Sequence, residues 1–509
     1  MGSNNKTIAK NTVFLYFRMF VTMIISLYTS RVVLQTLGVD DYGIYQSVGG
    51  IVGLLSFVNH ALATGSSRFL TYAMGEGDES KLKRVFRTTL TTHVLLAVLI
   101  IIIAETAGLW FLYNKMVIFP VRMDAAVFVF HISIVTAFFG ITQVPYSACI
   151  IAHERMTVFA YVSIIEAVLK LLIVYLLVIG NVDKLKLYAS LLCAIQVGVI
   201  LFYRYYCTRN FQEVSMKLML DKGIFKEIAA FSGWSMFSNA SIALNNQGVL
   251  LLLNMFFAPA VVAARSISLQ VNGVAHQFVT NFQTAANPQI VKLYAAGDYD
   301  GSKQLLLNVT KYSYYLMLIL ALPIVLTAEP LLHLWLGIVP EYSVIFLQLV
   351  VIQSLFQIFD ISFYRALYAK GRIKENALIS PTIGFLQFPI VYILFKIGCS
   401  PVALSWASII SYAIVGLIIK PILLIKIVDY KWSDILSVFK PCLLVTILSI
   451  PIPFATKWLM DNYCNSEIFS FIIIVLVAVI TVATATWFFG LNKSMKKVII
   501  RNISARLRK

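Results

Sequence analysis

The chain has 509 residues, of which 60% are hydrophobic and only 13% are charged, and its formal net charge is +18. An ordinary soluble globular protein is excluded, because no single core could bury that much apolar surface. A membrane-spanning helix needs about 20 apolar residues, so charged and Pro- or Gly-bearing breaks divide the sequence into about fourteen predicted spans. In chain order these are residues 11–36, 44–71, 88–112, 124–151, 158–180, 187–207, 229–257, 260–284, 306–327, 343–368, 377–396, 402–424, 439–460 and 468–490. We therefore predict an all-α polytopic membrane protein.

Several predicted spans contain a cationic residue. A cation in hydrocarbon costs roughly 2.5–3.5 kcal/mol on insertion scales, so a set of such residues indicates a bound anion. Arg18 lies deep in the first span, Arg68 near the inner end of the second, and Arg265 more than a turn below the outer end of the eighth. For Arg68 an equal alternative is that its side chain reaches the lipid headgroups. Because the guanidinium fork binds phosphate through two hydrogen bonds, we predict that these arginines bind a diphosphate.

Polar side chains recur at helical spacing on the second, seventh, eighth and tenth spans. On the eighth span, Arg265, Asn272 and His276 lie on one face of a helix. Such a stripe either lines a water-filled cavity or forms hydrogen bonds with neighbouring helices. The candidates for polar residues of a cavity are His60, Asn239, Asn246, Asn272 and His276.

Two carboxylates inside predicted spans are candidates for ion coupling. Asp360 lies in the tenth span and Glu166 in the fifth. An acidic residue at membrane depth is expensive and often functional. The alternative for both is a structural ion pair, and Lys170 follows Glu166 by four residues, the spacing at which side chains meet on a helix.

The distribution of basic residues predicts the orientation in the membrane. With the N-terminus in the cytoplasm, 29 of the 41 lysines and arginines lie on the cytoplasmic side and six on the outside, and the remaining six lie within spans or at their ends. This bias places both termini in the cytoplasm. We expect no cleavable signal, because the first apolar run is too long for one. The basic tail is expected to contact anionic lipids rather than nucleic acid.

Short matches at a constant offset indicate an internal repeat. Residues 152–156 match residues 369–373, and residues 173–177 match residues 390–394. Such repeats are typical of transporters. Because six spans return the chain to the same side, we predict two six-helix lobes related as parallel repeats. The predicted division is an N-terminal lobe at 1–207, a cytoplasmic linker at 208–228, a C-terminal lobe at 229–424, two further helices at 425–490 and a basic tail at 491–509.

The sequence offers no pattern for catalysis, metal binding or a cofactor. The six cysteines are scattered without a Cys-x-x-Cys pair, which predicts neither disulfides nor a metal site. No nucleophile motif or pair of catalytic carboxylates is evident, and the extramembrane segments are too short for a catalytic domain. We expect a protein that is not an enzyme and needs no cofactor.

Three short motifs point to a family. Leu-Gly-Val-Asp-Asp-Tyr-Gly at 37–43, Ala-His-Glu-Arg-Met at 152–156 and Phe-Ser-Gly-Trp at 231–234 resemble those of the Wzx-type polysaccharide flippases. These belong to the multidrug/oligosaccharidyl-lipid/polysaccharide (MOP) exporter superfamily. The resemblance implies two lobes around a cationic cavity that opens alternately to the two membrane faces. In related lipid II flippases, arginines on helices 1, 2 and 8 line that cavity, and Arg18, Arg68 and Arg265 occupy those helices here.

The resemblance also implies a function and partners. The substrate would be an undecaprenyl-diphosphate-linked oligosaccharide that is moved outward across the bacterial inner membrane for lipopolysaccharide O-antigen, capsule or exopolysaccharide synthesis. Its partners would be membrane lipids, a polysaccharide polymerase and a chain-length regulator.

Two alternatives stay open. A multidrug exporter of the same superfamily that carries cations would need buried acids in the first or seventh span, where the sequence has none. An integral-membrane polymerase or ligase would need a sizeable outer loop.

Overall fold

The computed structural model describes residues 2–55, 57–153, 155–177, 182–492 and 495–497. Within these ranges, side chains are described except at 2–18, 57, 60–61, 64, 156, 159, 231–235, 238, 285, 288, 373–374 and 376–377.

The described part of the chain is helical and contains no strand. The first helices are α1 (Gly2–Leu37), α2 (Val39–Leu55), α3 (Phe57–Glu76), α4 (Glu79–Ile103), α5 (Leu109–Lys115), α6 (Met123–Ala152), α7 (Met156–Leu176), α8 (Lys184–Asn210), α9 (Lys222–Ala243), α10 (Val249–Phe256) and α11 (Pro259–Ala295). The remaining helices are α12 (Tyr299–Leu326), α13 (Ala328–Leu336), α14 (Ser343–Ala369), α15 (Ile373–Lys396), α16 (Ala403–Ile414), α17 (Lys420–Val428), α18 (Trp432–Ser449), α19 (Pro451–Tyr463) and α20 (Glu467–Ala485).

Short π-helical segments continue or join several of these helices. They are Ala104–Gly108 between α4 and α5, Leu244–Gly248 between α9 and α10, Val415–Ile419 between α16 and α17, and Thr486–Gly490 after α20. A π-turn inserts one extra residue into a helix and shifts the faces that follow it.

The helices confirm the predicted all-α polytopic fold class. In the described part of the chain, ten helical segments are long and apolar enough to cross a membrane, by length and composition. In the part of the chain that the structure describes, helices also cover most of the other four predicted spans, the second, fifth, seventh and eighth. These four are not among the ten segments for one of two reasons. Some contain positions outside the described residues, and others carry the polar stripes, which lower their mean hydropathy.

The helices pack as two compact units, residues 1–266 and 267–509, and the boundary falls inside α11. In the first unit, α6 packs against α2, α3, α4 and α8, α1 packs against α7, and α9 packs against α3. In the second unit, α12 packs against α14, α18 and α20, and α14 packs against α16. The sequence places its lobe boundary earlier, at 208–228, and that division stays a prediction.

Two Gly-Asp turns, which precede α4 and α12, have the same local structure. Gly77 and Gly297 adopt positive φ angles of 74° and 82°, which glycine tolerates best. The next residues, Asp78 and Asp298, are N-caps whose carboxylates accept hydrogen bonds from backbone amides in the first turns of α4 and α12. These turns thus fix helix ends and need no ligand.

The Leu-Gly-x-x-Asp-Tyr-Gly motif also has a structural explanation. Asp41 in this motif pairs with Arg122, whose Nη2 lies 2.6 Å from Asp41 Oδ2 and whose Nη1 lies 2.6 Å from Asp183 Oδ2. Burial alone would raise the pKa of Asp183, but its bonds with Arg122 and the first amides of α8 lower that pKa instead. One arginine therefore ties together the starts of α2, α6 and α8.

Candidate functional site

The structure places Arg68 and Arg265, two of the three predicted arginines, in different surroundings. Arg18 lies in α1, and its side chain is outside the described residues. Arg68 is exposed on α3, where it lines an open cavity of about 730 Å³ with Ser67, Thr71 and Tyr72. Arg265 lies two turns into α11 and is only 2% exposed. A diphosphate site that includes all three arginines stays a prediction.

The polar stripe on α11 forms hydrogen bonds with α14. Asn272 Oδ1 accepts a hydrogen bond of 2.7 Å from Ser354, and Gln283 donates one of 2.8 Å to Ser362. Ser268 donates to the backbone carbonyl of Ser343 at 3.2 Å. In this conformation these residues of the stripe therefore form hydrogen bonds with a neighbouring helix, which is the alternative to lining a water-filled cavity.

The other polar candidates divide by exposure. Asn246 is exposed and lies in the π-helical segment between α9 and α10, whereas Asn239 on α9 is half-buried. His276 on α11 is half-buried and contacts Gln357 of α14. The side chain of His60 lies outside the described residues. Asn246 is thus the most accessible described member of the predicted cavity set, and its role in binding stays a prediction.

Both carboxylates proposed for ion coupling form ion pairs. Glu166 lies 2.6 Å from Lys170 on α7, as the helical spacing allows. Asp360 on α14 lies 2.8 Å from Nζ of Lys420 at the start of α17, and Lys420 is 1% exposed. The ring of Tyr364 lies 5.4 Å from the same ammonium group. The sequence alone missed this partner, because Lys420 stands near the predicted end of a span and counts there as a cytoplasmic lysine.

The second unit contains an apolar groove that the sequence did not predict. Its volume is about 710 Å³, and α12, α14 and α18 supply most of its walls. Tyr314, Phe359 and Leu443 are among the lining side chains, and Trp432 and Lys440 also line it. Such a groove suits an extended hydrocarbon chain. Only packing reveals it, because its residues come from helices far apart in sequence.

No family model matches the chain. It is similar to EpsK of Bacillus subtilis (strain 168), named an uncharacterized membrane protein, with 23% identity over 431 residues, 81% of this chain and 82% of EpsK.

Solved structures of transporters resemble the chain as a whole. The lipid II flippase MurJ in an inward closed conformation has a TM-score of 0.72 at 12% identity, covering 94% of this chain and 98% of its own. An inward-facing multidrug resistance MATE family transporter has a TM-score of 0.69 at 14% identity, covering 82% and 98%. A MOP superfamily transporter from Pyrococcus furiosus has a TM-score of 0.61 at 14% identity, covering 84% and 97%. The chain thus has the fold of MOP superfamily transporters, the superfamily whose motifs its sequence resembles.

Proposed function

We propose that this protein is a flippase that moves an undecaprenyl-diphosphate-linked oligosaccharide from the cytoplasmic to the outer leaflet by alternating access. The product would supply O-antigen, capsule or exopolysaccharide synthesis. The observation that carries the proposal is the charge of the helices proposed to meet the substrate. Arg18 and Arg265 lie within α1 and α11, and neither helix contains an acidic residue.

The charge of the buried side chains also distinguishes a flippase for an anionic lipid from an exporter of cationic drugs. A transporter for cations needs buried carboxylates to replace the water around its substrate, whereas buried guanidinium groups repel such a substrate. Arginine also stays charged in any environment and binds phosphate oxygens through its planar fork. A diphosphate could be passed between arginines at different depths, while amide groups such as that of Asn246 could form hydrogen bonds with sugars.

Two observations support a lipid-linked substrate. The apolar groove of the second unit could accommodate part of an isoprenoid chain, and Lys440 among its lining residues could contact a headgroup phosphate. In addition, the likeness to the lipid II flippase covers 94% of this chain, whereas the likeness to the MATE transporter covers 82%.

The test compares arginine variants for polysaccharide export in a strain that lacks the chromosomal copy. Arg18→Ala and Arg265→Ala should each reduce surface polysaccharide by at least about tenfold, because a hydrogen bond to a charged group contributes about 1.5–3 kcal/mol. Membrane content, measured by immunoblot, should stay unchanged. Arg31→Ala is the matched control, because Arg31 stands near the outer end of the first span and is expected to reach lipid headgroups.

Lysine variants separate the diphosphate clamp from a general positive potential. Arg18→Lys and Arg265→Lys should restore export only in part, since an ammonium group lacks the bidentate fork. Equal rescue would favour a general potential instead. Full export by both alanine variants would contradict the proposal, and drug sensitivity without loss of polysaccharide would favour the multidrug alternative.

A further inference from the structure

A cluster of sulfur, nitrogen and oxygen side chains lies at the predicted cytoplasmic end of α6. Cys149 and His153 are four residues apart at the end of this helix, so both side chains leave the same face. Glu213 comes from the segment between α8 and α9. One donor atom from each of the three residues lies within 4.8 Å of the others.

The Glu213 carboxylate joins the three groups. His153 Nε2 lies 2.6 Å from Glu213 Oε1, and the Cys149 thiol donates to the same oxygen at 3.1 Å. Phe211 stacks on the imidazole ring with a centroid distance of 4.0 Å and an interplanar angle of 10°. This stacking fixes the ring orientation, which a ligand histidine requires.

Two members of the cluster are buried and the third is half-buried. Cys149 is 1% exposed and Glu213 is 5% exposed, whereas His153 is half-buried. The surrounding core includes Phe86, Tyr146 and Cys207, and Cys207 is close enough to interact electrostatically with Glu213. A water molecule could complete a four-coordinate site with the three side chains.

The buried Glu213 carboxylate pairs with a histidine side chain. Within the described residues, its ion-pair partner is His153, and no lysine or arginine forms a salt bridge with it. A buried carboxylate of this kind is stabilised by a nearby cation.

We propose that Cys149, His153 and Glu213 bind a divalent transition-metal ion of the zinc class. The mixture of thiolate, imidazole and carboxylate ligands suits Zn²⁺ and disfavours Mg²⁺ and Ca²⁺, which take oxygen ligands. On binding, the Cys149 thiol loses its proton to solvent and the thiolate, a neutral imidazole nitrogen and the carboxylate each donate an electron pair to the ion. The ion would hold the segment between α8 and α9 against the end of α6, and this proposal is independent of the transported substrate.

The test uses the purified full-length protein in detergent, without an affinity histidine tag and stripped of metal by a chelator. After titration with Zn²⁺ and buffer exchange, mass spectrometry should find about one zinc per chain. Cys149→Ser and His153→Ala should each weaken Zn²⁺ binding by at least about tenfold. Cys442→Ser is the matched control, because Cys442 is also buried but lies in α18, far from the cluster in sequence.

Co²⁺ provides a second measurement that reports on the ligands. The Co²⁺-loaded protein should show a sulfur-to-metal charge-transfer absorption that Cys149→Ser removes and Cys442→Ser keeps. If Cys149→Ser does not give monodisperse protein, Glu213→Gln takes its place in the zinc titration. Wild-type protein that binds no more zinc than these variants would overturn the proposal, as would bound Co²⁺ without the sulfur absorption.

Discussion

Asp360 and Lys420 form an ion pair in which the lysine is almost fully buried. Their separation of 2.8 Å and the 1% exposure of Lys420 mean that the carboxylate neutralises a cation that water does not reach. Removing one partner of a buried pair leaves an uncompensated charge, which typically costs about 3–5 kcal/mol. The first role of Asp360 is therefore structural, and a role in ion coupling would be added to it.

We predict that Asp360→Asn lowers the thermal unfolding midpoint of the purified protein by about 3–5 °C. Adding Lys420→Met should restore most of this loss, since the double variant contains no buried unpaired charge. Differential scanning fluorimetry in detergent measures both effects. If Asp360 also carries the coupling ion, the stable double variant should still fail to export polysaccharide.

Glu166→Gln provides the comparison for this prediction. The pair of Glu166 and Lys170 is partly exposed, and exposed pairs typically contribute only about 0–1 kcal/mol. The unfolding midpoint of the Glu166→Gln variant should therefore stay close to that of the wild type. An Asp360→Asn variant as stable as Glu166→Gln would contradict the structural role of Asp360.

Side-chain partners were the least predictable feature at this scale. The spacing of Arg265, Asn272 and His276 predicted a polar face on the eighth span, and that face exists, with Gln283 as a further member. Whether this face meets water or another helix depends on α14, which begins 60 residues after Gln283. On α14, Ser354 forms a hydrogen bond with Asn272, and Ser362 forms one with Gln283. Periodicity within one helix cannot reveal a partner on another.

The close approach of α2 and α11 depends on one glycine of the family motif. A Cβ atom at Gly43 would lie 2.0 Å from the carbonyl oxygen of Pro259, the first residue of α11. No real contact is that short, so a side chain at this position would have to push the two helices apart. Gly49, on the same helix, has no atom within 4 Å of the equivalent position.

We predict that Gly43→Ala strongly reduces the yield of monodisperse protein and its unfolding midpoint. Overpacking of a tight contact costs about 1–3 kcal/mol or more. Gly49→Ala should be neutral or slightly stabilising, because alanine favours the helix by about 1 kcal/mol over glycine. Size-exclusion chromatography of the two variants tests this, and equal profiles would contradict a steric role for Gly43.

The positions of the π-helical segments also could not be predicted from the sequence. The third, seventh and twelfth spans are each predicted as one uninterrupted helix, yet the structure inserts the segments Ala104–Gly108, Leu244–Gly248 and Val415–Ile419 into them. At the last of these, Gly416 approaches the backbone of Phe356, where a Cβ atom would lie 2.6 Å from its carbonyl oxygen. The altered turn allows a close contact between helices, which hydropathy does not encode.

The predicted membrane orientation of the whole chain rests on its charge distribution. The sequence places 29 of 41 basic residues on the side of the termini, although Lys311 and Lys420 in that set are buried in the structure. Removing these two leaves the bias strong. The prediction of cytoplasmic termini therefore does not depend on them.

We predict that green fluorescent protein fused after Lys509 is fluorescent in bacterial cells, whereas alkaline phosphatase fused at the same place is inactive. Fluorescent protein folds in the cytoplasm, and the phosphatase needs the disulfides that form outside it. A phosphatase inserted between residues 116 and 119 should be active, because this loop is predicted to lie outside. The reverse pattern would contradict the assigned orientation.

The sequence by itself determined that the chain is an all-α polytopic membrane protein, because the requirement to satisfy every backbone group in lipid leaves an apolar run few choices besides a helix. Helix ends such as the start of α4 are also fixed locally, through residues such as Gly77 and Asp78. Only the tertiary structure decided that Lys420 neutralises Asp360, that Gly43 lies against Pro259 and that Cys149 meets Glu213. These contacts join positions from 60 to more than 200 residues apart, and pairings at such distances are set by how the helices pack and not by the local pattern of either partner.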